Sequence, residues 1–186
     1  MELDECGRVQ RDRDTGHGGQ VDVNLIVDVS ASGGSDLLIV RYPNVGTLPI
    51  DITFTGDGTD DRLRVVGTSG RNAIYTPDSA ISGSGVIGVD TNEITFAGVD
   101  AVGADVASME FAGFGNVVLM TPNSADSVTV DTATAVITGQ QALQISGTSG
   151  GVAFEAVTLV GVTNVTVDMA SEDEAGSSDD TFTLAA

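Results

Sequence analysis

Carboxylates are the one reactive side-chain type that this 186-residue chain carries in quantity: 27 Asp and Glu against seven Arg, no Lys, one His and one Cys. Four aspartates stand in a repeated setting, "GGSDLLIV" (33–40), "GTDDRLRV" (58–65), "SADSVTV" (124–130) and "SSDDTFTL" (177–184). In each, small residues lead to an Asp that stands two residues before a large apolar one: Asp36 before Leu38, Asp61 before Leu63, Asp126 before Val128, Asp180 before Phe182. Two chemistries suit that spacing. A hard cation such as calcium needs several converging oxygens, and stacked Asp turns supply them. Alternatively, Asp accepts backbone N–H bonds within a turn, after which the apolar residue enters the core. The four turns lie far apart in sequence, and a lone carboxylate binds calcium weakly, so capping ranks first. The ion candidates are Asp36, Asp61, Asp126 and Asp180, joined by Asp173 and Asp179 from the acidic run "SEDEAGSSDD" (171–180). Calcium is the only cofactor this pattern suggests; otherwise none is expected.

Other chemistries lack their parts. From Asn72 onward there is no cation to stabilise a developing anion, and Trp is absent, so a sugar-cleaving site is not expected. The sole histidine, His17, lies in a polar N-terminal segment, and no serine has a nearby His partner. "GTSG" at 67–70 and 147–150 lacks the Lys and helix of a phosphate loop. The expectation is a protein that is not an enzyme. A net charge of −20 excludes a nucleic-acid partner, because phosphates are neutralised by clustered Lys and Arg. No apolar run is long enough to cross a membrane, so membrane insertion is not expected. Cys6 is alone and forms no internal bridge.

What positions the aspartates is a succession of short strands. Residues 1–19 carry mixed charge without periodicity and read as a disordered polar segment; residues 20–186 read as a single β-repeat domain. "IDITFTG" alternates strictly, with Ile50, Ile52 and Phe54 on one side. "ITFAGVDAV" (94–102), "MEFAGFGNV" (109–117) and "VTLVGVTNV" (157–165) are copies of one unit with glycine fixed at the fifth place: Gly98, Gly113, Gly161. A glycine there marks a bend between two strands. The "GTSG" copies read as tight reversals with positive φ. Recurring corners favour coil-on-coil stacking. The fold expected is all-β, an irregular parallel β-helix or solenoid of short strands, with a β-sandwich as the alternative. The expected core is Leu38, Val40, Ile52, Phe54, Leu63, Val65, Ile94, Phe96, Phe111, Val117, Val128, Val130, Leu159, Val165, Val167 and Phe182.

The Asp turns resemble the second half of the calcium-binding β-roll nonapeptide, G-G-x-G-x-D-x-U-x, with most of the glycines replaced. The longer succession "GDGTDDRLRVVGTSGRNAIYTP…GSG…EITFAGVDAV", followed by "VAFEAVTLVGVTNVTVD…SSDDTFTL", resembles the tandem β-strand repeats of very large bacterial surface and secreted proteins. The likeness runs roughly from Ser30 to Leu184. It implies a stacked β architecture, an extracellular or cell-surface location, and a structural or adhesive role as stalk, adhesin or envelope component. Partners implied are neighbouring repeat units of the same or a longer chain, together with cell-surface glycans or proteins. Two other expectations stand beside it: a calcium-stabilised binding module, and a phage or viral fibre component.

Overall fold

The structure is a computed structural model that describes residues 8–9, 25–43, 50–57, 60–100, 107–122, 124–135, 137–173 and 179–185. Among these there is no helix. The sequence dictates this: Val, Thr and Ile alternate in short runs broken by Gly and Asp, and no window repeats apolar residues at helical spacing. The strands are β1 (Arg8–Val9), β2 (Leu25–Ser30), β3 (Leu37–Arg41), β4 (Ile50–Thr55), β5 (Arg62–Val66), β6 (Asn72–Pro77), β7 (Gly85–Val89), β8 (Asn92–Ala97), β9 (Met109–Ala112), β10 (Asn116–Met120), β11 (Asp126–Thr134), β12 (Gln141–Ser149), β13 (Val152–Val160), β14 (Asn164–Asp168) and β15 (Thr181–Leu184).

They form two mixed sheets. The first runs β1-β2-β4-β8-β7-β6-β10-β14 and the second β15-β11-β12-β13-β9-β5-β3. The chain passes from one sheet to the other at nine of the fourteen connections between these strands. Two three-strand meanders interrupt the alternation, β6–β8 in the first sheet and β11–β13 in the second. Eight of the thirteen neighbour pairs are parallel; four of the five antiparallel pairs belong to the meanders. Each meander follows the same detour. The chain leaps past two empty strand positions and then fills them backward, so that β8 reaches β4 and β13 reaches β9. Of residues 1–19, Arg8 and Val9 pair antiparallel with β2; the rest of that segment lies outside the described residues.

Of the three repeated glycines, Gly113 and Gly161 stack, but Gly98 does not join them: it follows β8 in the first sheet, where it lies against Gly56, and Gly67 takes the third place in the stack. Val66, Ala112 and Val160 are register partners at the ends of β5, β9 and β13, and Gly67, Gly113 and Gly161 follow them. Gly113 N–H donates to the Val160 carbonyl and Gly67 N–H to the Ala112 carbonyl, each at 2.9 Å. Gly113 and Gly161 have φ of 75° and 60°, the left-handed turn that side chains with a Cβ resist. Five residues after Gly67 and three after Gly113 and Gly161 the chain re-enters the first sheet at Asn72, Asn116 and Asn164, which are again register partners. The "GTSG" copies differ from each other. Gly67 has no positive φ; a Cβ there would run into the Phe114 ring. In the second copy, Gly150 and the following Gly151 have φ of 60° and 82° and close the two-residue turn between β12 and β13.

The main core draws on both sheets, and a small separate cluster is formed by Ala112, Ala135 and Val160. Tyr75 of the first sheet is fully buried, with ring centroids 6.0 Å from Phe96, 6.4 Å from Phe111 and 6.5 Å from Phe154. Twelve of the sixteen expected core residues are buried, and Leu38, Val165 and Val167 pack partly buried against the cluster. Phe182 is the exception at 52% exposed. Its register partner Val128 is fully buried, so Phe182 faces the core side from the edge strand, where nothing described covers it.

Candidate functional site

The structure brings the four repeated aspartates together in pairs, at the two ends of the second sheet. Asp36 and Asp61 precede β3 and β5, which pair parallel with Leu37 opposite Arg62. Asp126 and Asp180 stand likewise at β11 and β15, where Ser127 is opposite Thr181. In both pairs the later carboxylate caps the earlier backbone. Asp36 N–H donates to Asp61 Oδ1 at 3.0 Å, and Asp126 N–H donates to Asp180 Oδ1 at 3.1 Å. Asp61 is fully buried, and its Oδ2 accepts the Asp57 N–H at 2.7 Å. Asp126, also buried, accepts the Thr121 hydroxyl on Oδ2 and the Ser124 hydroxyl on Oδ1 at 3.1 Å. Beside the first pair, Asp60 receives Arg62 at 2.8 Å and the Ser35 hydroxyl at 3.0 Å. The Arg62 bond, then the Ser35 bond, hold its carboxyl below the usual aspartate value.

The acidic run is not one cluster in the described residues. Asp173 is half-buried and its N–H donates to the Ala170 carbonyl at 3.2 Å; Asp179 is exposed; residues 174–178 lie outside the described residues. The turn ahead of it is organised by Asp168, which the sequence reading missed. Asp168 accepts the Ser171 hydroxyl and the N–H groups of Ser171 and Ala170 at 3.0 and 3.2 Å, and these bonds lower its pKa. Among the described residues no three His, Cys, Asp or Glu come together as a metal-holding group. At the paired turns the carboxylates of Asp61, Asp126 and Asp180 accept N–H and O–H donors instead. The melting midpoint should therefore be the same in EDTA and in millimolar calcium once ionic strength is matched. An ion held at a hundredfold excess over its Kd would add about 2.7 kcal/mol, a shift that thermal unfolding followed by circular dichroism would reveal.

Two buried acids went unnoticed in a sequence so rich in carboxylates. Glu110 on β9 is fully buried; it pairs with Arg64 at 2.7 Å and accepts the Thr138 hydroxyl at 2.9 Å. Glu155 lies where β13 bulges: Ile145 faces Val157 and Gly147 faces Phe154, so Ser146 opposes both Glu155 and Ala156. At the bulge the Glu155 carboxylate accepts the Ser108 hydroxyl, while its own carbonyl accepts the Tyr75 hydroxyl at 3.2 Å. Burial is the main cause that pushes the Glu155 carboxyl up to about 7, with Asp100 adding to it; burial also raises Tyr75 well above the ordinary tyrosine value. The signal in the sequence was an acid inside an apolar strand, as in "VAFEAVTL" and "MEFAG".

Arg71 clamps three connections together. It donates to the Pro43 carbonyl through Nε and Nη2 at 3.0 and 2.7 Å, pairs with Asp90, and lies 5.7 Å from the Tyr42 ring centre. Burial and Asp90 push the Tyr42 hydroxyl up to about 12. Cavities of substrate size occur among the described residues. One of about 500 Å³ lies between Pro77, Ile81, Phe96 and Pro122. Another of about 330 Å³ lies along Thr132, Leu143 and Val162. A third of about 480 Å³ opens at the end of the core between β14 and β15, lined by Val130, Val165, Val167, Met169, Asp180 and Phe182. Glu110 and Glu155 line none of these three, so neither raised nor buried carboxyl meets a substrate-sized space there. Comparisons with protein-family models, with curated proteins and with solved structures return no match for this chain.

Proposed function

We propose that this chain is a non-catalytic structural or adhesive module of a bacterial cell-surface or secreted repeat protein, built as an irregular solenoid. The observation that carries the reading is the recurrence of one chemistry at one place in successive passes. Glycine corners follow register partners Val66, Ala112 and Val160; asparagines open β6, β10 and β14; aspartates open β3, β5, β11 and β15. Stacked repeats produce that pattern because each coil meets the same neighbours. The two meanders are then local inserts that widen the stack by filling two strand positions each. The buried acids support the non-catalytic part, since they act as internal hydrogen-bond partners. On the outer face of the first sheet Asp28, Thr53 and Thr95 form one polar row, suited to a hydrated stalk or to glycan and protein contacts at a surface.

Antibody raised against the purified domain should decorate the envelope of intact producing cells, or fibres shed by them, in immunogold micrographs. Label confined to the cytoplasm of sectioned cells overturns the reading.

A further inference from the structure

The two outer strands of the second sheet differ in a way that makes them complementary. On β3, Asp36 and Tyr42 bond toward β5: the Asp36 carbonyl accepts Arg62 N–H, and Tyr42 N–H donates to the Val66 carbonyl, both at 2.8 Å. By strand alternation Leu37, Ile39 and Arg41 aim their N–H and C=O groups at the edge that no described strand pairs, the free edge of the described residues. On β15 the phase is the opposite. Ala185 N–H donates to the Val130 carbonyl at 2.9 Å, so Thr181 and Thr183 face β11 while Asp180, Phe182 and Leu184 face the free edge. A β15 edge therefore has the phase that β3 presents to β5, and a β3 edge has the phase that β5 presents to β3.

The aspartates supply the register. In each existing pair, the carboxylate of one Asp caps the N–H of the Asp on the strand before it. Asp180 aims its N–H outward at one end, and among the described residues the Asp36 carboxylate accepts no hydrogen bond at the other. Set in that register, Phe182 falls opposite Leu38 and Leu184 opposite Val40. This continues the core-facing rows Leu38–Leu63–Met109 and Val40–Val65–Phe111. It also covers the two most conspicuous exposed groups of the tail, Phe182 at 52% and Leu184 at 72%, and closes the 480 Å³ groove beside them.

We propose that the free β15 edge is a docking site for the β3 edge of a second copy of this chain, parallel and in Asp-to-Asp register. The contact is heterologous: tail meets head, and each added copy leaves a new tail, so it builds open rows and not closed dimers. It rests on the stacked-module reading above and names its partner and its register. Charge sets the conditions. Residues 72–186 carry fifteen acids and no Lys or Arg, and residues 1–71 carry twelve acids with seven Arg, so the copies repel until salt shortens the screening length to about 3 Å near 1 M.

The test is sedimentation of the full chain at increasing concentration, in about 20 mM and about 1 M sodium chloride. Expected is monomer at low salt and, at high salt, a weight-average mass that keeps rising with concentration. Ile39→Pro removes an outward N–H at the head and Leu184→Pro one at the tail; both are edge positions where Pro leaves the molecule's own ladder intact. Each variant alone should stay monomeric at 1 M salt, and an equimolar mixture should give a 1:1 dimer and nothing larger. Circular dichroism verifies that both fold. If either fails to fold, a second measurement decides: Leu37→Cys with Thr181→Cys, in a Cys6→Ser background, should oxidise to a ladder of covalent multimers. Those two positions stand at opposite ends of the seven-strand sheet and cannot bridge within one chain. A chain that stays monomeric at every salt, or an association that either proline variant retains alone, or covalent dimers from Thr181→Cys alone, overturns the proposal. Surface label on cells with a monomer in solution removes this inference only; rows of copies from a cytoplasmic protein would remove the surface reading and leave the docking.

Discussion

Glu155→Gln is expected to make the protein more stable at pH 8 and to leave it unchanged at pH 4. The carboxyl has an ordinary value of 4.5 and is pushed to about 7 in the folded chain. Below pH 4.5 both folded and unfolded forms hold the proton, and the site costs nothing. Between 4.5 and 7 the unfolded chain releases a proton that the folded chain keeps, so stability falls as pH rises. Above 7 the whole difference persists, on the order of 3 kcal/mol at 1.36 kcal/mol per pKa unit. Glutamine keeps an oxygen for the Ser108 hydroxyl and never acquires the charge. A midpoint higher by roughly 5–10 °C at pH 8 is the corresponding shift for a domain of this size. Asp60 and Asp168 act in the other direction: their lowered values favour folding above the ordinary aspartate range, and that gain is lost as pH falls through them. Thermal scans from pH 4 to 8 check the sign. A Gln variant whose curve runs parallel to the parent's would show that Glu155 is not the group responsible.

Asp61→Ala should be the most damaging single change among the repeated aspartates. Its two oxygens satisfy two backbone donors, Asp36 N–H and Asp57 N–H, in a fully buried position. Hydrogen bonds to a charged group contribute about 1.5–3 kcal/mol each, so losing both costs roughly 3–6 kcal/mol. Asp180→Ala loses one bond at an exposed site and should cost about 1 kcal/mol. Urea midpoints of the two variants decide it, because equal losses would mean that burial of the cap is irrelevant. The ordering also separates capping from ion binding, in which the exposed acids would matter as much as the buried one.

The sequence was most legible where one residue type must occupy one conformation. Glycine after β9 and β13 takes a positive φ, and aspartate before β3, β5, β11 and β15 opens a strand; both recur as letters. Strand direction is a different matter. "NAIYTP", "GVIGV" and "NEITFA" alternate equally well whether their neighbours run parallel or antiparallel, so the meanders could not be read from periodicity. Burial at an end is likewise invisible to alternation: Phe182 has the same setting as Leu63 and differs only in having no next strand beside it. The Glu155 bulge is a two-against-one mismatch with a strand adjacent in sequence, and nothing in "VAFEAVTL" announces it. The pairing of Asp36 with Asp61 and of Asp126 with Asp180 needed the sheet order, since 25 residues separate one pair and 54 the other.

The backward-filled meanders also set the order in which this chain can fold. Parallel neighbours such as β2 and β4 meet only after a long loop closes, whereas β12 and β13 meet across Gly150 and Gly151 alone. Hairpins of that kind form in about 1–10 μs, well before non-local parallel pairs assemble. The two triplets are thus ready-made wedges. The strand order puts β7 and β8 between β6 and β4, so the first sheet is continuous past β4 only once that triplet has docked, and the second past β9 only once β11–β13 has.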